Sequence, residues 1–218
     1  MTPLFKLKQF FYSLVFNFLD FVFFFTHYWW WKMQWFLMRK YWNVSGYEVF
    51  MRENRLRQDV TEEDFSFGET NALSTKLILE EIQPQKGATI YDLGSGRGIF
   101  LISAYFIYGT RGVGIEILKT YVEKSRELAS TMRVANVLFR EENIVDTDLS
   151  EADIIYLSGA TFSGEILDRT IEKFKKAEPG TIIIIIRHEL PEEEFVLFND
   201  GYYPFTWGSE KVYFYRKK

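Results

Sequence analysis

The chain has 218 residues, 47% of them hydrophobic, which suffices for one α/β core with roughly fifty residues over. It contains no cysteine and only two histidines, His27 and His188, which excludes disulfide scaffolds, thiol nucleophiles and cysteine-rich zinc sites, so no metal centre is expected. The net charge of -4 hides an asymmetry: residues 1–59 carry eight Lys/Arg against four Asp/Glu and the remainder 18 against 26, an acidic body that argues against nucleic acid as its partner.

The front end differs in kind from the rest of the chain, because 20 of the 41 aromatic residues and five of the six tryptophans fall within residues 1–50. The run "FFYSLVFNFLDFVFFFTHYWWW" at 10–31 is about long enough for a bilayer core, which needs roughly 20 residues. Asp20 in its middle costs about 2.5–3.5 kcal/mol in such a setting, and phenylalanines at about 0.3 kcal/mol each only offset that. Lys6, Ser13, Asn17, Asp20, His27 and Gln34 recur at helical steps and form a narrow polar seam. Three arrangements fit: a helix lying in the membrane interface, a spanning helix whose seam faces a partner, and a helix packed on the body.

Membrane association through residues 1–42 is the expectation. Trp29, Trp30, Trp31 and Trp35 have the character of an interfacial belt, and Lys32, Arg39, Lys40, Arg52, Arg55 and Arg57 follow it. By the positive-inside tendency the body then lies on the cytoplasmic side; it is simply cytoplasmic if the helix packs on the body. No small-residue cleavage site is present, so a removable signal peptide is not expected. The chain divides into a helical, basic segment at 1–59 and a main domain at 60–218.

After the polar connector "RENRLRQDVTEEDFSFGETN", residues 72–82 read as a helix with Leu73, Leu77, Ile78 and Ile82 on one face, closed by Pro84 and Gly87. Strand-like runs at 88–93, 112–117, 136–139, 154–157 and 181–186 alternate with helices at 99–108, 119–132 and 164–176. This alternation predicts a Rossmann-like, mostly parallel sheet of seven strands with helices on both faces. "TIIIII" is apolar on both sides, as a buried central strand requires. "FVLFNDGYYPF" and "EKVYFYRK" are separated by a short gap and predict a C-terminal antiparallel hairpin.

Between the first strand and its helix stands "YDLGSGRGIF", with Gly94, Gly96 and Gly98 at alternate positions. A dinucleotide loop needs G-x-G-x-x-G, and Ile99 stands where its third glycine belongs; the Gly-Lys-Ser/Thr of a phosphate loop is also missing. Asp92, two residues before the first glycine, would repel a pyrophosphate and suits a cation. S-adenosylmethionine carries a sulfonium and an ammonium, and bare glycines let its amino-acid portion lie against the backbone. Glu116 ends the second strand, 18 residues beyond Gly98, where an acid accepts from ribose hydroxyls. Asn143 and Ile144 follow the third strand, suited to bonding an adenine edge and packing its face. These residues in this order select S-adenosylmethionine as the ligand.

Over about residues 65–187 the chain resembles class I S-adenosylmethionine-dependent methyltransferases, on the marks "FGETN" at 67–71, "YDLGSGRG" at 91–98, "GVGIE" at 112–116, "DIIYLSGATF" at 153–162 and "GTIIIII" at 180–186. Within that class it is similar to non-SET protein-lysine methyltransferases of the disruptor-of-telomeric-silencing type. It also resembles the small membrane-linked enzymes that methylate lysines of the mitochondrial ATP-synthase c subunit and the adenine nucleotide translocase. The resemblance implies that Glu69 and Thr70 close over the methionine end of the cofactor and that the segment from Ser158 to Phe162 borders the acceptor channel. It implies a protein lysine as acceptor. Asn143 stands where that family has an Asp, and Ser158 with Gly159 where it has an Asn pair.

Methyl transfer is an in-line displacement that needs alignment more than a strong base. A lysine acceptor must arrive neutral, which a dry, aromatic-lined channel favours; Phe162 and Tyr156 are candidates for its wall. His188 in "RHELPE" lacks the second histidine of a metalloprotease helix and reads as structural. A small-molecule or lipid methyltransferase, and a cofactor-binding module without turnover, are the alternatives.

Overall fold

The computed structural model describes residues 3–42, 44, 46–54, 69–158 and 164–218. Its elements are α1 (Pro3–Phe24), α2 (Tyr28–Tyr41), α3 (Gly46–Asn54), α4 (Ala72–Glu80), β1 (Thr89–Leu93), α5 (Ile99–Tyr108) and β2 (Arg111–Glu116). They continue with α6 (Lys119–Met132), β3 (Val137–Glu141), β4 (Ile154–Leu157), α7 (Gly164–Phe174), β5 (Ile182–Ile186), β6 (Phe195–Phe205) and β7 (Gly208–Lys217).

The strands form one sheet in the order β3-β2-β1-β4-β5-β7-β6. All pairs are parallel except β5 with β7 and β6 with β7, so the expected Rossmann-like sheet with its antiparallel C-terminal hairpin is present. β5 shows why these residues make such a sheet. Ile184 and Ile186 join the core on one face and Ile183 and Ile185 the core on the other, where β-branched side chains suit a strand covered on both sides. Strand order reverses between β1 and β4, and a reversal of this kind leaves a crevice at the C-terminal ends of the strands.

α4 stops two residues earlier than the apolar pattern, because Gln83 takes a φ of 42° and donates its N–H to the Leu79 carbonyl at 2.9 Å. The larger difference lies at the front. The apolar run at 10–31 is two helices rather than one, broken at His27, whose backbone is extended (φ -96°, ψ 109°) and whose carbonyl accepts from Trp30 N at 3.0 Å.

Asp20 explains the break. It is 2% exposed, with Oδ2 accepting from Trp30 Nε1 at 2.8 Å and Oδ1 from the backbone N–H of Leu73 at 2.7 Å. The carboxylate therefore joins α1 to α2 and to the first turn of α4, where unpaired N–H groups and the positive end of the helix dipole favour an anion. Burial raises its pKa above the ordinary carboxylate value despite those two hydrogen bonds.

α2 buries Trp30, Met33, Phe36, Leu37 and Tyr41 in the same core as residues of the body, and Trp29 stacks on Phe106 of α5 with centroids 5.1 Å apart. Of the three arrangements open to the polar seam, its central residue Asp20 is packed on the body, while Asn17 and His27 are exposed. The opposite face of the helix pair exposes Phe11, Phe18, Phe25, Trp31, Trp35 and Trp42 among others. Among the described residues no helix is long and apolar enough to cross a membrane.

Candidate active site

The glycine loop folds over the end of β2. Gly94 N and Ser95 N both donate to the Ile115 carbonyl at 2.9 Å, Gly98 N donates to Ser95 O at 2.8 Å, and Ile102 N then bonds Gly98 O at 3.1 Å to open α5. The glycines have different duties. Gly98 has φ 77°, and a Cβ there would lie 2.5 Å from Phe139 Cζ, so packing alone requires its hydrogen. A Cβ on Gly96 would meet nothing within 4 Å, which leaves this backbone bare toward open space.

Asp92 sits on β1 opposite Gly114 of β2 and Tyr156 of β4. It is 3% exposed, and burial first, then the charge of Glu116, pushes its carboxyl up to about 8. Glu116 is buried as well. Its Oε2 accepts from Gly96 N and its Oε1 from Leu118 N, both at 2.9 Å, and burial raises its pKa against those bonds. The glutamate expected to meet a ribose thus also holds the loop, and with the Ile117 N–H as a third backbone donor its carboxylate still has room for a ligand donor.

Two buried acids at one end of a sheet are costly unless a cation joins them. A sulfonium with an ammonium fits. Ser95 Oγ, buried without a hydrogen-bond partner in the loop itself, is a further polar group that a ligand there can satisfy.

Asn143 heads the turn after β3. Its Oδ1 accepts from Val145 N at 3.2 Å and its carbonyl from Asp146 N at 3.0 Å and Thr147 Oγ1 at 3.1 Å. The side-chain oxygen expected for adenine is thus shared with the turn, and the NH2 remains as a donor. Ile144 is packed in the core with Tyr91 and Ile115.

The segment before α4 is built onto this crevice. Glu69 takes a bidentate ion pair from Arg97 of the glycine loop, with Nε to Oε1 at 2.6 Å and Nη2 on Oε2. The hydroxyls of Thr70 and Tyr156 are 2.6 Å apart, and Asn71 caps α4 by accepting from Ser74 N at 3.0 Å. Glu69 is thus tied to the glycine loop and Thr70 to β4, whereas the resemblance gave both a place over the methionine end of the cofactor.

Tyr156 does not line an open channel. It is buried and stacks on Phe100 with centroids 3.9 Å apart, so it supports Thr70 from below. Arg97 was missed; its signal was an arginine inside the glycine loop with an acid in "FGETN" to receive it. Ser158 follows β4 at the crevice and is half-buried, and Phe162 lies outside the described residues. His188 is half-buried just past β5, next to Arg187, which pairs with Glu210.

Beside the Glu69–Arg97 pair a pocket of about 290 Å³ opens between α1, α2 and the body, with Asn17, Gln34, Met38, Trp42 and Asn71 in its lining.

A family model described as a methyltransferase domain matches residues 84–201. An RNA methyltransferase from Salinibacter ruber, solved in complex with S-adenosyl-L-homocysteine, is similar at 26% identity over 68% of this chain and 93% of that one, with a TM-score of 0.57. TrmN from Thermus thermophilus is similar at 13% identity and a TM-score of 0.58; the match covers 77% of this chain and 52% of that one, about half its length. A geranyl diphosphate C-methyltransferase from Streptomyces coelicolor A3(2), in complex with Mg2+, geranyl diphosphate and S-adenosyl-L-homocysteine, is similar at 14% identity over 67% and 77%, with a TM-score of 0.54. The last two bear on the fold alone.

Proposed function

The chain belongs to this methyltransferase-domain family and is an enzyme that uses S-adenosylmethionine, and on that premise we propose that it methylates an acceptor presented at a membrane surface. The observation that carries the cofactor is the pair of buried acids, Asp92 and Glu116, beside the bare backbone of Gly96 at the switch point of the sheet. Bound there, S-adenosylmethionine supplies an electrophilic methyl carbon for in-line displacement. Asp92 meets the positive charge of its amino-acid end, Glu116 takes the ribose, and Asn143 the adenine edge. Glu69, held by Arg97, and Thr70, held by Tyr156, close over the methionine end. These residues align and exclude water, and no strong base is needed.

What supports the membrane is the exposed aromatic face of α1 and α2 with Lys32 and Arg39 on α2, the composition of a helix pair lying in an interface. The basic flank then puts the body on the cytoplasmic side. For the acceptor, the resemblance in "FGETN" and "GVGIE" supports a protein lysine, made neutral by dry surroundings. A lipid or small molecule is the second reading, favoured by the pocket beside Glu69. The acidic balance of the body supports an acceptor other than RNA.

Calorimetry with S-adenosylmethionine tests the first step: absence of heat at high micromolar cofactor removes the enzyme reading. Membranes incubated with methyl-labelled cofactor then separate the acceptors by whether label runs with protein, lipid or RNA. Label in none of them, with cofactor bound, favours a binding module. Protein that stays in the supernatant after detergent-free ultracentrifugation removes the membrane.

A further inference from the structure

The pocket between the helix pair and the body has a polar floor and an apolar rim. On the floor, Asn71 is 6% exposed; its Oδ1 is fixed by Ser74, while its Nδ2 is buried without a hydrogen-bond partner. A buried amide donor left unpaired is costly, and an oxygen placed opposite it recovers that cost. The two carboxylates in the lining are already committed. Asp20 receives Trp30 and Leu73, and Glu69 receives both arms of Arg97. Glu69 is neutralised by Arg97 and both Asp20 oxygens already accept a bond, so a lysine ammonium entering here shares acceptors already in use, whereas a neutral or anionic head with oxygen acceptors meets an unpartnered donor.

The rim continues onto the surface as a stripe. Met38 and Trp42 line the pocket and are also exposed, Trp42 at 84%, and with Trp31 and Trp35 they lie at steps of four, three and four along α2. At 1.5 Å per residue the stripe runs about 16 Å, a length suited to an alkyl chain. Arg39 lies over the Trp35 ring at 5.1 Å, which puts a cation beside the stripe. Glu69, Arg97 and Ile99 make the inner wall, so the pocket abuts the residues that close over the cofactor.

We propose that this pocket is the acceptor subsite and that it takes a membrane amphiphile, its uncharged or anionic oxygen-bearing head on Asn71 and its chain along Trp42, Met38, Trp35 and Trp31. The proposal rests on the methyltransferase reading and takes the second of its two acceptor classes, a lipid in place of a protein lysine. In the transfer, a lone pair of a head hydroxyl forms the bond to the methyl carbon as the carbon–sulfur bond breaks. The electron pair of that bond stays on sulfur to give the neutral thioether, and the hydroxyl proton leaves to water.

The full chain is first titrated with S-adenosylhomocysteine, since failure there refutes the enzyme reading itself. With that product bound, a bromine-labelled single-chain phosphatidylglycerol is added and quenching of tryptophan fluorescence is followed, against the same chain bearing a trimethylammonium head. Saturable quenching at least tenfold tighter for the oxygen-rich head is expected. Asn71→Asp keeps the oxygen that caps α4 and removes the donor; it should weaken the lipid tenfold or more while S-adenosylhomocysteine affinity stays within twofold. Trp42→Ser, on an exposed position, should weaken it as well. Equal binding of both heads, or an unchanged Asn71→Asp protein, reduces the effect to apolar adsorption and overturns the proposal. So does a lysine-bearing membrane peptide that displaces the lipid and takes the methyl label.

Discussion

Replacing Asp92 with asparagine keeps the shape of the side chain and removes its charge, and the consequences depend on pH in a way that can be worked out. In the ligand-free protein the carboxyl titrates at about 8, against an ordinary 3.8, because it is buried beside Glu116. The folded state thus holds a proton that the unfolded chain has lost. Stability fully present below the ordinary value is lost as pH rises from about 4 to about 8, on the order of 5 kcal/mol over the window.

A cationic cofactor reverses the preference, because it binds the ionised carboxylate. At pH 7 about nine in ten ligand-free molecules carry the proton, so affinity is roughly tenfold, about 1.4 kcal/mol, below its value at high pH. Calorimetry between pH 6 and 9 should show affinity rising nearly tenfold per unit up to about 8 and then levelling, with proton release visible between buffers of different ionisation heat. In Asp92→Asn the slope should vanish and affinity fall at least a hundredfold. A pH-independent wild-type affinity, or an asparagine variant that binds as tightly, refutes the role given to Asp92.

The two glycines should separate in the same assays. Gly98→Ala combines a left-handed φ with a clash against Phe139 and should cost about 2–4 kcal/mol in denaturant melts, whereas Gly96→Ala costs about 1 kcal/mol of stability and chiefly lowers cofactor affinity. Asp20→Ala leaves Trp30 Nε1 and Leu73 N without their acceptor and should lower stability by about 2–3 kcal/mol, measured by urea unfolding. Tyr156→Phe removes the hydroxyl that meets Thr70 and Ser158, so it should cost about 1–2 kcal/mol and weaken the cofactor several-fold in titration.

The sheet was legible because its signal is local. β5 is written as a β-branched run, and the spacing of Gly98, Glu116 and Asn143 marks the ends of successive strands or the loops after them without reference to the rest of the molecule. The break at His27 was not legible: no glycine or proline stands there, and the turn is held by Asp20 reaching Trp30 and Leu73, the latter 53 residues away. The Glu69–Arg97 pair was missed for the same reason, being 28 residues apart and visible only once α4 and α5 are packed side by side. Asn143 shows a different limit. The amide chemistry that suits an adenine edge also heads a turn, and the residue type does not separate the two.

Because Asp20 of the aromatic helix supplies an anion to the first turn of α4, that helix is a working part of the fold rather than a detachable handle. Trimming the first 42 residues to ease purification would remove a wall of the pocket and loosen the backbone that follows Glu69 and Thr70. A shortened protein of that kind, catalytically silent in the test tube, would carry no information about the reaction of the intact chain.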